Sequence, residues 1–187
     1  MEIKNENKFK KLFKRYGALS LACVLSLVVA LSIGLSLPKD DFKDVSIEEV
    51  TFALPMANAT ILKDYADDHL QFNENLNRWE IHLAIDMASE NANVMSVLDG
   101  TVASVECNSL DGCVVTVNHA DGFVSVYASL EEGALVKEGD KVAKGQSIGK
   151  ASSTASNEAI KGNHLHFQLF KDGKEVDPNN YLDLQNK

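Results

Sequence analysis

The sequence predicts an all-β domain over residues 51–187, set behind one apolar N-terminal helix. Three observations carry that reading. Short stretches rich in β-branched and aromatic residues recur with alternating polarity, turn signals separate them, and no segment beyond residue 37 holds a long helical period. The stretches are EIHLAIDMA (80–88), GTVASVEC (100–107), CVVTVNH (113–119), FVSVYASL (123–130) and HLHFQLF (164–170). Between them lie LDG at 98–100 and 110–112, ADG at 120–122 and KDG at 171–173, which turn a chain because Gly, Asn and Asp tolerate a left-handed backbone. ILKDYADDHLQF (61–72) is the one place suited to a short helix.

At 187 residues the chain has room for one ordinary domain and an appendage. Its first 15 residues form a basic tail, with Lys8, Lys10, Lys11, Lys14 and Arg15 close together. Residues 16–37 (YGALSLACVLSLVVALSIGLSL) carry no charge. At about 1.5 Å per residue a helix of that length covers roughly 33 Å, enough for a bilayer core. A cleaved signal peptide competes with this reading, but the run is long for an h-region and GLSLPKD is a poor small-residue cleavage site. Basic residues stay on the cytoplasmic side, so the expectation is a single-pass cell-membrane protein with a cytoplasmic N-terminus and an extracytoplasmic domain. Residues 38–50 (PKDDFKDVSIEEV) read as a polar linker. The net charge of −9, with much of the basic charge in the tail, leaves the domain acidic and excludes a nucleic-acid partner.

VKEGDKVAKGQSIGK (136–150) has the glycine and valine spacing of a hairpin at a barrel corner. Carrier domains for biotin or lipoate use such hairpins. They present a modifiable lysine at a tight tip, and no such tip occurs here.

Two histidine-bearing stretches hold the candidate chemistry. If HLAID (82–86) is extended, His82, Ala84 and Asp86 share one face while Leu83, Ile85 and Met87 enter the core. A helix would also put His82 and Asp86 together, but the apolar alternation favours a strand. In GNHLHFQLF (162–170) the same alternation sets His164 and His166 on one face and Leu165, Phe167 and Leu169 on the other. One histidine and one carboxylate, joined by a nitrogen from a second strand, make the three-ligand set of a catalytic zinc site, with water in the fourth position. Ala84, between two ligands, must be small. One of the pair His164 and His166 then binds zinc and the other faces the water.

HLAID and HLHF, in this order and with YASL (127–130) between them, resemble the motifs of the lysostaphin-like M23 metallopeptidases, whose domains are also called LytM domains. The resemblance spans residues 79–178 and includes the 136–150 segment. It implies an antiparallel sheet with a narrow zinc groove, Zn2+ held by His82, Asp86 and His166, and His164 as the catalytic histidine beside the water. It also implies peptidoglycan peptides as substrate. Zinc would lower the pKa of its bound water to about 7 and polarise the scissile carbonyl, while an imidazole takes the proton or steadies the oxyanion.

Departures from the family matter equally. Active members carry Tyr-x-His-Leu where this chain has Ser129, a degenerate catalytic position. A serine hydroxyl accepts no proton near neutral pH, and losing such a group costs roughly a hundred- to ten-thousand-fold in rate. Zinc binding should survive, because Ser129 is not a ligand position. Ala84 stands where glycine is usual, and the loop KASSTASNEAIKGN (150–163) is longer and poorer in glycine than usual. FNENLNRWEIHLAID (72–86), the serine in YASL, TASNE (154–158) and one N-terminal span are similar to family members of sporulation, whose domain projects between two membranes and binds a partner membrane protein as part of a channel. The main expectation is a membrane-anchored zinc metallopeptidase of reduced activity acting on peptidoglycan peptides. The alternative is an inactive zinc-binding scaffold of an envelope channel complex.

Other residues receive structural readings. His119 and His69 read as turn or surface residues, Trp79 as core or rim, and Cys23 as an apolar residue of the membrane segment. Cys107 and Cys113 flank NSLDG symmetrically, which suits either a cross-strand disulfide or two small buried thiols.

Overall fold

A computed structural model describes Lys10, Lys14 and residues 50–184. The chain divides into two compact units, Met1–Glu48 and Glu49–Lys187. In the first, Lys10 and Lys14 are helical; the rest of the basic tail, the expected membrane helix 16–37 and most of the linker lie outside the described residues. Among the described residues no helix is long and apolar enough to cross a membrane.

The second unit is all-β and antiparallel. Its strands are β1 (Thr60–Lys63), β2 (Ala66–Asn73), β3 (Arg78–His82), β4 (Ile85–Ala88), β5 (Asn93–Met95), β6 (Gly100–Asn108), β7 (Gly112–His119), β8 (Phe123–Leu130), β9 (Lys141–Val142), β10 (Ser147–Lys150), β11 (Leu165–Lys171) and β12 (Lys174–Val176). The main sheet runs β1-β4-β11-β8-β7-β6-β9, with β12 paired to β11, and two small sheets pair β2 with β3 and β5 with β10.

Local chemistry fixes the hairpins at the centre. Between β6 and β7, the Asn108 side chain accepts the Leu110 and Asp111 N–H groups at 2.8 Å each, closing a tight turn. Cys107 and Cys113 stand opposite each other in register and form a disulfide, which decides between the two readings of that pair. At the β7–β8 turn Gly122 has φ +72°, where any side chain is strained and a Cβ would also displace the Asp172 carboxylate.

One face of the main sheet closes over Ile85, Met87, Val115, Val117, Leu165, Phe167 and Leu169, all fully buried, as alternation along β4, β7 and β11 requires. The Tyr127 and Phe167 rings meet at 5.4 Å. The Tyr127 hydroxyl accepts the Val97 N–H at 2.9 Å and lies 3.0 Å from Ser125 Oγ, which is 2.7 Å from His119 Nε2. His119 Nδ1 donates to the Asp99 carbonyl at 2.9 Å. Burial lowers the His119 pKa and raises that of Tyr127, keeping both neutral. His119 thus ends its strand as expected, and it anchors a polar chain inside the core.

Three sequence expectations change. Residues 61–72 form β1 and β2 instead of a helix, because both find edge partners, β4 and β3. Residues 80–88 are not one strand: the chain breaks at Leu83 and Ala84, leaving the β2–β3 sheet and entering the main sheet as β4. Leu83, at that break, is only half-buried. The 136–150 segment is no hairpin, since β9 pairs with β6 and β10 with β5, and Gly145, at φ +78°, lies in the turn that carries the chain from one sheet to the other. Trp79, 64% exposed, takes the rim position of its two readings and lines a groove instead of entering the core.

Candidate metal site

Sheet register assembles the site. On β11, His166 pairs with Asp86 of β4 on one side and Ala128 of β8 on the other. His82 closes β3 at the break, four residues before Asp86, so the change of sheet aims both side chains at one point. A one-turn 3-10 helix, Ala159–Lys161, within the loop before β11 brings Glu158 and Lys161 to the same point.

Buried His82 donates from Nδ1 to the Asp64 carbonyl at 2.9 Å, which leaves the lone pair of Nε2 facing the cluster. That Nε2 lies 3.1 Å from Asp86 Oδ2 and 3.9 Å from Glu158 Oε1, yet makes no hydrogen bond. His166 Nδ1 donates to Asp86 Oδ1 at 2.7 Å and lies 3.0 Å from Glu158 Oε2. Lys161 Nζ donates to Asp86 Oδ2 and, at 2.5 Å, to Glu158 Oε1.

Electrostatics follow from this crowding. Burial alone would lower the His166 pKa, but its hydrogen bonds to Asp86 and Glu158 and their charges outweigh that and lift it to about 9. Burial would likewise raise both carboxyls. His166, by its hydrogen bond and its charge, instead holds Asp86 well below the usual carboxylate range, and the close contacts of His164, His166 and Lys161 do the same for Glu158.

His164 is fully buried, with Nδ1 donating to the Gly162 carbonyl at 2.8 Å and Nε2 at 3.4 Å from Glu158 Oε2. Ser129 is also fully buried, near the end of β8, with φ +60°. Its hydroxyl donates to the Ser152 carbonyl at 2.9 Å, the same oxygen that accepts the His164 N–H at 3.0 Å. The serine at this degenerate position is therefore committed to the backbone. His69 is exposed beside Asp68 and plays no part.

The structure brings together His82, Asp86 and His166, with His164 alongside. Glu158 and Lys161 are the members that sequence reasoning missed. Their only signal was an acid and a base three apart in an unusually long loop, which reads equally well as a solvated turn.

His82, Asp86, Glu158 and His166 each offer a ligand atom, all within 4.8 Å of one another. Two imidazole nitrogens and carboxylate oxygens are the donors zinc takes, and a buried imidazole nitrogen without a hydrogen-bond partner is the kind of atom a metal satisfies. The residues present therefore fit zinc. Beside the cluster a groove of 620 Å³, lined by Leu62, Leu70, Phe72, Trp79 and Ile160, reaches Lys161.

Comparison with known proteins agrees with this geometry. Residues 80–178 match Peptidase family M23. Over 110 residues the chain is 40% identical to stage II sporulation protein Q of Bacillus subtilis, covering 57% of this chain and 38% of that protein, so it spans well under half of that relative's length. The solved structure of the SpoIIQ–SpoIIIAH pore forming complex contains a chain with a TM-score of 0.61 and 33% identity, covering 71% of this chain and 91% of that one. A zinc containing peptidase from Vibrio cholerae shares the fold at a TM-score of 0.53 and 27% identity, covering 63% of this chain and 35% of that one.

Proposed function

We propose that this chain, which belongs to peptidase family M23, is a membrane-anchored binding domain that engages a partner membrane protein in a bacterial envelope complex of sporulation. Its zinc site would serve architecture in place of peptide cleavage. The observation that carries the reading is Ser129: where active members keep a second catalytic histidine, this chain has a buried hydroxyl already spent on the Ser152 carbonyl.

Several features support it. SpoIIQ, a relative along most of the domain, is found in a pore forming complex with SpoIIIAH. The exposed groove with Phe72 and Trp79, whose rings lie 5.5 Å apart, offers a partner apolar surface that water leaves uncovered. The Cys107–Cys113 disulfide suits a domain outside the reducing cytoplasm, in agreement with a basic tail followed by an uncharged stretch long enough to span a bilayer.

Zinc held by His82, Asp86 and His166 would tie β3, β4 and β11 together; only with a coordination position left open would it also supply an acidified water. A second reading, a weak peptidoglycan endopeptidase, is favoured by the retained His164. In that case His164 Nε2 would take the proton, with Nδ1 fixed by the Gly162 carbonyl.

The test is complex formation. The full chain mixed with the SpoIIIAH homologue of its source bacterium should elute as one species in size-exclusion chromatography, and Trp79→Ala should weaken it. Separate elution of the two proteins at micromolar concentration would overturn the partner reading.

A further inference from the structure

Glu158 is the unexplained member of the cluster. A carboxylate in a loop belongs in water, yet Glu158 is 5% exposed, and burying an ionised acid is costly unless charge or metal compensates it. We infer that Glu158 is a fourth protein ligand of the metal, so that this site is closed, and that Lys161 holds the two carboxylates when the metal is absent. The inference rests on the reading that the site binds zinc.

Distances between the donors support it. Four ligands at about 2.0–2.1 Å around a tetrahedral zinc stand about 3.3 Å from one another. His166 Nδ1 is 2.7 Å from Asp86 Oδ1 and 3.0 Å from Glu158 Oε2. His82 Nε2 is 3.1 Å from Asp86 Oδ2 and 3.9 Å from Glu158 Oε1. Glu158 thus approaches both imidazoles, through Oε2 at His166 and Oε1 at His82, and one ligand atom from each of the four residues lies within 4.8 Å of the others, where a water-bearing site would leave an opening. His82 Nε2, buried and without a hydrogen bond, points into the same space.

Charge gives a second, independent line. Asp86 and Glu158 together bring two negative charges into a buried point, and the Lys161 ammonium bonds to both from a single turn of 3-10 helix. A dication between the same carboxylates makes that ammonium redundant. Lys161 keeps about a fifth of its side chain exposed, so its head can swing into the adjoining groove that it already lines. Closed four-ligand zinc sites are structural, whereas catalytic ones keep a position for water. The closure and the loss of histidine at Ser129 then point the same way, one from the loop before β11 and the other from β8.

Cobalt substitution reads the coordination directly. The full-length chain, stripped with chelator and loaded with Co2+, should give the intense visible bands of a four-coordinate site, and azide should not alter them. Glu158→Gln, nearly isosteric, should still bind one Co2+ per chain, lose at least about tenfold in Zn2+ affinity by chelator competition, and acquire an azide-sensitive spectrum. Lys161→Met should bind Zn2+ more tightly than the unmodified chain. The unmodified chain needs no variant to fold: an azide-sensitive spectrum there, or Glu158→Gln matching it in affinity and spectrum, overturns the assignment of Glu158 while leaving the zinc site intact. Failure of the unmodified chain to bind either metal overturns both the inference and the zinc reading beneath it.

Discussion

In the metal-free protein, His166 couples folding to pH, and its size can be worked from the site. Its pKa is about 9 in the folded state against an ordinary 6.5, because hydrogen bonds to Asp86 and Glu158 outweigh the opposing effect of burial. A raised folded pKa means that the folded state binds the proton more tightly, so the stabilisation is fully present below pH 6.5 and is lost as pH rises through 9. At about 1.4 kcal/mol per tenfold difference in proton affinity, the gap amounts to about 3 kcal/mol. Urea unfolding followed by circular dichroism in EDTA, at pH 6.5 and at pH 9.5, should show a fall of that order. His166→Gln should be less stable at pH 6.5 and should lose most of this pH dependence. An unmodified domain equally stable at both pH values, or a variant that keeps the full slope, would refute the reasoning.

Reduction of the Cys107–Cys113 disulfide, which closes a loop with a sequence separation of 6, should cost about 2 kcal/mol, read as a lower melting temperature in dithiothreitol that Cys107→Ser no longer shows. His119→Ala removes one partner of the buried Ser125 hydroxyl and should destabilise by about 1–3 kcal/mol without changing metal content, measured by denaturation and elemental analysis. His166→Ala should lose metal, while His164→Ala should retain it, again by elemental analysis; retained metal in the His166 variant would remove that residue from the ligand set.

Much of the fold was legible in period-2 alternation and in turn residues, because a strand buried on one face leaves that pattern whatever its neighbours are. β6, β7, β8 and β11 fall within a residue or so of their predicted bounds for this reason. Alternation says which face a side chain takes but not which sheet its strand joins. The pattern therefore runs unbroken from His82 to Met87 although the chain changes sheets at Leu83 and Ala84. The same limit made 136–150 look like one hairpin when its halves serve different sheets. At the site, His82, Asp86 and His166 were readable because they sit on strands whose spacing sets their direction. Glu158 and Lys161 reach it from a loop, where no period exists and only the tertiary fold places a side chain.

The central claim is that this M23 domain keeps its metal site without the family's turnover. Release of soluble muropeptides from purified peptidoglycan by the zinc-loaded full chain, with His164→Ala as blank, tests it most directly. The account predicts zinc bound in the unmodified chain and no release above the blank. Release above the blank by the unmodified chain would contradict it and make Ser129 a tolerated change in a working peptidase.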